Sequence, residues 1–323
     1  MENTTQTAVS AESLEKTLNM SMEELFSFAE YSAEDAERIA YSKYSYWGSV
    51  FRNFFKRKSV LIMGSLFLIL LIFNFLAPHI GRFKLADLHT NMRDTYLTPN
   101  KEYWFGTDNL GRDYWVQVWS ATLVSIRLSG GVAIGEAVLG VIVGLFWGYV
   151  RAVDRFFTEL HNIISNIPNI IYMTLVGLFV GTSVFTLTVA MIAVGFLGRA
   201  KQIRNLVFLY RDREYNLASR CLGTKIWPVM FRNILPYLVS IIVMSFSMSI
   251  PGTISAETTL SYLGLGLSTG GISLGVLLRN ARPVVLQFPH LLVFPAVIVS
   301  VITITFYLIG NAFSDACDPK NHV

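Results

Sequence analysis

Charge is scarce in this chain: only 15% of its 323 residues are Asp, Glu, Lys or Arg, 53% are hydrophobic, and mean hydropathy is +0.48. Soluble domains carry roughly a quarter of their residues charged, so that class is excluded. Cysteine is nearly absent, with Cys221 and Cys317 far apart in sequence, and the five histidines (His79, His89, His161, His290, His322) are scattered. Neither a disulfide framework nor a metal site is expected from that pattern. The chain has no GxxxxGK[ST] phosphate loop, no HExxH and no GxSxG. It is therefore not expected to hydrolyse ATP or to be an enzyme, and no cofactor is expected on it. A pI near 9.0 would suggest nucleic acid in a soluble protein, but here the cations sit beside apolar spans, where they set topology.

What is present is an integral membrane protein with uneven charge. Residues 1–50 hold nine acids against Lys16, Arg38 and Lys43, a balance of −6, so with a net charge of +4 the remainder is near +10. The acidic segment 1–43 reads as a mobile cytoplasmic tail, and since the first apolar run begins only near Val60, no signal peptide is expected. Trp47, Phe51, Phe54 and Phe55 recur on one helical face and lead into Lys56, Arg57 and Lys58. Residues 44–59 thus read as an interfacial amphipathic helix with its cations at the lipid headgroups.

Residues 60–323 read as a six-span domain. The spans are Val60–Ala77 and then about 128–150, 163–180, 183–197, from 237 and from 291 to 311. With the Lys56–Lys58 cluster inside, alternation places 78–127 and 262–289 outside as external loops, and both termini inside. The 198–236 stretch falls inside as a cytoplasmic loop. It carries eight basic residues (Arg199, Lys201, Arg204, Arg211, Arg213, Arg220, Lys225, Arg232) against Asp212 and Glu214, as the positive-inside rule requires.

Within the spans, Gly131, Gly135, Gly140, Gly144 and Gly148 suit close helix packing. Glu136 interrupts them, and two readings fit it: a group lining a pathway, or a carboxyl hydrogen-bonded to a neighbour near the outer third of its span. Pro168 and Pro251 are expected to break or kink their helices, as gating elements or as ordinary membrane prolines. Glu257, near the outer end of span five and a candidate pathway or gating group, precedes the glycine-rich run Ser261–Leu267, which is expected to form a tight re-entrant or amphipathic turn on the outer face.

Three stretches resemble one family. Glu214–Pro236 (EYNLASRCLGTKIWPVMFRNILP) is similar to the EAA-type signature of permease subunits of ATP-binding-cassette importers: a short helix, a glycine and, later, a terminal Leu-Pro. Phe105–Asp113 (FGTDNLGRD), with Phe105, Gly106, Thr107, Asp108, Gly111, Arg112 and Asp113, resembles the external signature of the dipeptide, oligopeptide and nickel branch. Leu260–Leu267 (LSYLGLGL) resembles that branch's segment after span five. The likeness runs from about Tyr44 to the C-terminus and is greatest to C-type oligopeptide permease subunits of Gram-positive bacteria. The chain departs from the general signature at Leu217, where a glutamate is usual, and at Asn233, where an aliphatic is usual.

The resemblance implies an all-α, six-helix permease of the type I importer kind, in the bacterial plasma membrane. It implies half of a heterodimeric path for oligopeptides, with dipeptides or nickel as alternatives. A homologous second permease, two ATP-binding subunits holding ATP and Mg, and an external lipid-anchored or periplasmic binding protein would complete the assembly. A cytoplasmic coupling helix would dock the ATPases, with Arg213, Glu214, Tyr215, Leu217, Ala218, Ser219, Arg220, Gly223 and Pro236 as its contact or shaping residues. A gradient-driven carrier or a plain membrane anchor is the reading from another class.

Overall fold

The computed structural model describes residues 46–80, 92–267 and 271–317; the acidic segment 1–43 lies outside the described residues. Helix α1 (Tyr46–Lys56) is followed by α2 (Lys58–Ile80), which is apolar all round as a lipid-embedded helix must be. The single-residue break between them is Arg57, whose guanidinium pairs with Asp315 at 2.7 Å. Phe54 packs edge-on against Phe313, while Phe51 and Phe55 remain about half exposed on the same apolar side of α1.

Helix α3 (Tyr114–Tyr149) is 36 residues long and begins at Tyr114, well ahead of the span start expected near Leu128. Its first turns carry Gln117, Thr122 and Ser125, whose polarity makes them read as loop. Each polar group is satisfied inside the protein: Thr122 donates to the Val118 carbonyl, Gln117 to Asp108, and Ser125 accepts from the Leu274 amide. The loop ahead of α3 therefore ends at Asp113.

The third span differs most from expectation. It is an amphipathic helix α4 (Arg151–Ser165) and a 12-residue helix α5 (Asn169–Val180), bent 81° at Pro168. Twelve residues rise only about 18 Å, too short for a hydrocarbon layer of roughly 30 Å. Helix α6 (Val184–Arg211) then runs parallel to α3. The space that a Cβ would fill on Gly131 is bounded by Thr188, on Gly135 by Ile192, on Gly144 by Ile203 and on Gly148 by Val207, so both helices advance together in the same direction. Two parallel neighbours require the chain between them to return, so the bent pair is the sixth crossing beside five long apolar helices.

Helix α6 continues past Leu197 as far as Arg211, through residues that read as a loop in sequence. Its cations there are anchored: Arg204 grips Asp154 of α4 at 2.7 Å, and Arg211 donates to the Gly148 carbonyl. The short helix α7 (Glu214–Cys221) follows. A turn at Ile226–Pro228 and a π-helical segment Val229–Ile234 then lead without interruption into α8 (Leu235–Tyr262). Pro236 thus does not separate loop from span. The Leu235 amide reaches back to the Met230 carbonyl, and this wider turn accommodates a proline that has no amide of its own. Nor does Pro251 interrupt α8, in which it is buried.

Helix α8 stops at the glycine-rich run. Gly264 adopts φ +82°, the Leu265 amide bonds to Leu260 and the Gly264 amide to Ser261, a Schellman ending. The 262–289 stretch contains helix α9 (Leu274–Ala281), and α10 (His290–Cys317) completes the bundle. A core of Trp115, Trp119, Ile254, Leu274 and Ile302 fills the Phe105 end. Leu145, Ile203, Val207, Met230 and Leu238 fill the Glu214 end. Among the described residues the only β feature is an isolated bridge between Thr107 and Asp113.

Candidate functional site

The Phe105–Asp113 segment is a self-contained fold that seats α3. Asp108 is its hub: its carboxylate accepts the Leu110 and Arg112 amides at 2.9 Å, the Arg112 guanidinium at 2.6 and 2.7 Å, and Gln117 at 3.0 Å. Gly106 (φ +79°) and Gly111 (φ +71°) occupy backbone conformations that other residues resist, and at Gly106 a Cβ would also strike the Leu97 carbonyl. Thr107 is buried, donating to the Asp94 carbonyl and accepting the Leu97 amide. Phe105 stacks on Phe294 of α10 at 3.9 Å, and Asp113 caps α3 by accepting the Trp115 amide. These side chains are spent on one another and on the helix ends.

Helix α7 is built to protrude. Glu214 opens its first turn, favourable for an acid at a helix N-terminus, with Arg213 as the capping residue. Its end is a second Schellman turn: Gly223 at φ +82°, the Thr224 amide on the Ser219 carbonyl, the Gly223 amide on Arg220, and the Ser219 and Thr224 hydroxyls joined at 3.0 Å. Gly223 therefore sets the turn, and nothing in the chain lies near the place of its missing Cβ.

One side of α7 is fixed by a residue that sequence reasoning missed. Asn216 is fully buried, donates to the Tyr210 carbonyl at 2.8 Å and accepts from Asn233 at 3.1 Å. Asn233, conspicuous in sequence only as a departure from an aliphatic, is the partner that ties α7 to the π segment. Tyr237 adds to the same joint, stacked on Tyr210 at 5.4 Å and tilted against Tyr215 at 6.0 Å. The other side is open. Tyr215 and Leu217 are more than 40% exposed and Leu222 is 87% exposed, with Arg213, Glu214, Ala218 and Arg220 around them. Glu214 and Arg220 make no ion pair among the described residues.

A cleft of about 440 Å³ opens between α3, α5, α6 and α8. Glu136 lines it, accepting from Ser249 at 2.8 Å and from Arg199 at 3.4 Å. Along α3, Glu136 stands closer to the Tyr149 end than to the Tyr114 end. Pro168 caps α5, whose Asn169 reaches the cleft wall, and Pro251 sits between the lining residues Ser249 and Gly252. Glu257 does not line it. Buried between α8 and α9, its Oε1 accepts from Ser261 at 2.6 Å and from Ser273 at 2.5 Å, and Ser273 in turn caps α9. Of Glu136, Pro168, Pro251 and Glu257, Glu136 alone lines the cleft; the two prolines stand next to lining residues in the chain.

One family model matches the chain. The signature of "Binding-protein-dependent transport system inner membrane component" covers residues 138–323, more than half of the chain. The chain belongs to this family. The permease is 35% identical to the oligopeptide transport system permease protein AmiD of Streptococcus pneumoniae, over 93% of its own length and 98% of that relative. It is 29% identical to the oligopeptide transport system permease protein OppC of Bacillus subtilis, over 92% of its own length and 97% of the relative. Identity is also 29% to the dipeptide transport system permease protein DppC of Bacillus subtilis, over 94% of each. The permease is thus a multi-pass membrane subunit of a binding-protein-dependent transport system, similar to oligopeptide and dipeptide permease proteins.

Proposed function

We propose that the permease forms half of a heterodimeric inward pathway for oligopeptides in the bacterial plasma membrane, with its termini cytoplasmic. A homologous permease supplies the other half, an external lipid-anchored or periplasmic binding protein delivers the peptide, and two ATP-binding subunits holding ATP and Mg drive it. The observation that carries this reading is α7: an eight-residue helix buried on one side through Asn216 and bare on the other at Tyr215, Leu217, Ala218 and Leu222. An unpartnered apolar patch rimmed by Arg213 and Arg220 suits a groove with acidic edges on a partner. Closure of two such partners on ATP would move α7 and reorient the bundle.

Co-expression with the two ATP-binding subunits tests this. The permease alone should hydrolyse no ATP, and the assembled complex should show ATPase activity that depends on it. Ala218→Arg, at an exposed helical position, should leave the permease folded and abolish that dependence. Partner ATPase indifferent to both Ala218→Arg and Gly223→Arg would instead favour a carrier or anchor that needs no ATPase.

A further inference from the structure

Resting on that importer reading, we infer that the cleft is a binding station for the peptide's free α-ammonium group, which Glu136 accepts in exchange for Arg199. Three observations meet there. First, both bonds to Glu136 fall on Oε2, and Oε1 takes none among the described residues. It lies in the notch left by Gly195, a cleft-lining residue where a Cβ would collide with that oxygen. Second, the Glu136–Arg199 pair stands at 3.4 Å, whereas Arg204–Asp154, Arg112–Asp108 and Arg57–Asp315 close to 2.6–2.7 Å and the sequence neighbours Arg211–Asp212 to 3.2 Å. A charge pair at membrane depth is ordinarily tight, because little else can solvate it; a loose one beside open space is exchangeable. Arg199 already has a second acceptor, Gln202 at 3.3 Å, to hold when displaced.

Third, the rest of the lining is soft. Met173, Met191 and Met248 share the cleft. Unbranched, polarizable side chains accommodate many shapes without selecting one. A fixed carboxylate beside an adaptable apolar wall suits cargo with a constant end and variable side chains. An α-ammonium, with three donors on a compact charge, is such an end.

The complete transporter, reconstituted in lipid vesicles with its binding protein saturated, is given tri-alanine or N-acetyl-tri-alanine. Wild type should import the free peptide about tenfold faster than the acetylated one, the worth of a charge-assisted bond. Glu136→Gln should bring the two rates together by slowing the free peptide to the rate of the acetylated one. Gly195→Ala should act likewise by filling the notch, and Glu136→Asp should restore the preference. Equal rates in wild type, or a preference that survives Glu136→Gln, would overturn the inference. So would joint loss of uptake and ATPase in both Glu136 variants, which would mark the pair as a structural strut. Absence of any ATP-dependent peptide uptake by wild type would remove the importer reading as well.

Discussion

Asp113 answers two opposed demands with one side chain. As the cap of α3 it must offer an acceptor to the Trp115 amide, yet it is buried, and burial pushes its carboxyl from 3.8 up to about 6 against the opposing pull of that bond. The folded state holds the proton more tightly than the unfolded chain. The group's contribution to stability is therefore whole below about pH 4 and is lost as pH rises through 6, a swing on the order of 2–3 kcal/mol. Asp113→Asn keeps an acceptor and cannot ionise. It should be at least as stable as wild type at pH 7.5, and the advantage should vanish at pH 4. Asp113→Ala, which loses the cap, should be less stable than Asn by about 1 kcal/mol at either pH. Apparent melting temperatures in detergent at the two pH values decide it; a wild type more stable than the Asn variant at pH 7.5 would refute the burial account. Residues of this kind are half legible in sequence. FGTDNLGRD stands out as a signature, but only the fold shows that Asp108 and Arg112 are consumed by each other. Glu136 is conspicuous as a lone acid, while its partner Arg199 is distant in sequence and reads as part of a loop.

The pairing of α3 with α6 is the most extensive helix contact in the bundle, and its glycines are not equivalent. At Gly144 a Cβ would lie 2.6 Å from the Ala200 carbonyl oxygen and 2.6 Å from Ile203 Cβ, both rigid parts of the opposing helix, while at Gly130 nothing lies within 4 Å. Gly144→Val must push the helices apart and should cost about 2 kcal/mol or more, whereas Gly130→Ala should be neutral or gain a few tenths through helix propensity. Thermal unfolding of the two variants, with yield from the membrane as a second readout, tests the contrast; equal behaviour would show that the helices slide freely. The glycine spacing makes this interface readable in advance because small residues at i, i+4 have one physical use in lipid. Helix ends are less readable. Hydropathy locates the lipid-immersed stretch, and α3 and α6 run well beyond it, where Asp113 caps one and the Arg204–Asp154 pair steadies the other. The break at Pro168 is visible as a proline, but its 81° turn is not, since α4 is held through Asp154 by Trp147 of α3 and Arg204 of α6, both distant from Pro168 in sequence.

Helix α7 is connected to the cleft through a continuous stretch of structure. Asn216 binds Asn233 in the π segment, the π segment runs into α8 without a break, and α8 presents Ser249, Gly252 and Thr253 to the cavity. A π turn is a natural place for such a joint, since its wider ring can tighten to α geometry and rotate the helix beyond it. If the joint transmits work, loosening it should separate ATP hydrolysis from transport without disassembling the complex. Asn233→Leu leaves the buried Asn216 amide short of a partner and removes the cross-link, at a local cost of about 1–3 kcal/mol. The double variant Asn216→Leu/Asn233→Leu restores satisfied packing without restoring the bond. Both should keep α7 in place and retain nucleotide hydrolysis in the assembled transporter, yet move less peptide per ATP than wild type, and the double variant should recover stability but not coupling. The measurement is simultaneous peptide uptake and phosphate release from sealed vesicles. A ratio unchanged in both variants would show that the Asn216–Asn233 bond only supports the fold, and that motion reaches α8 through the Tyr210, Tyr215 and Tyr237 contact instead.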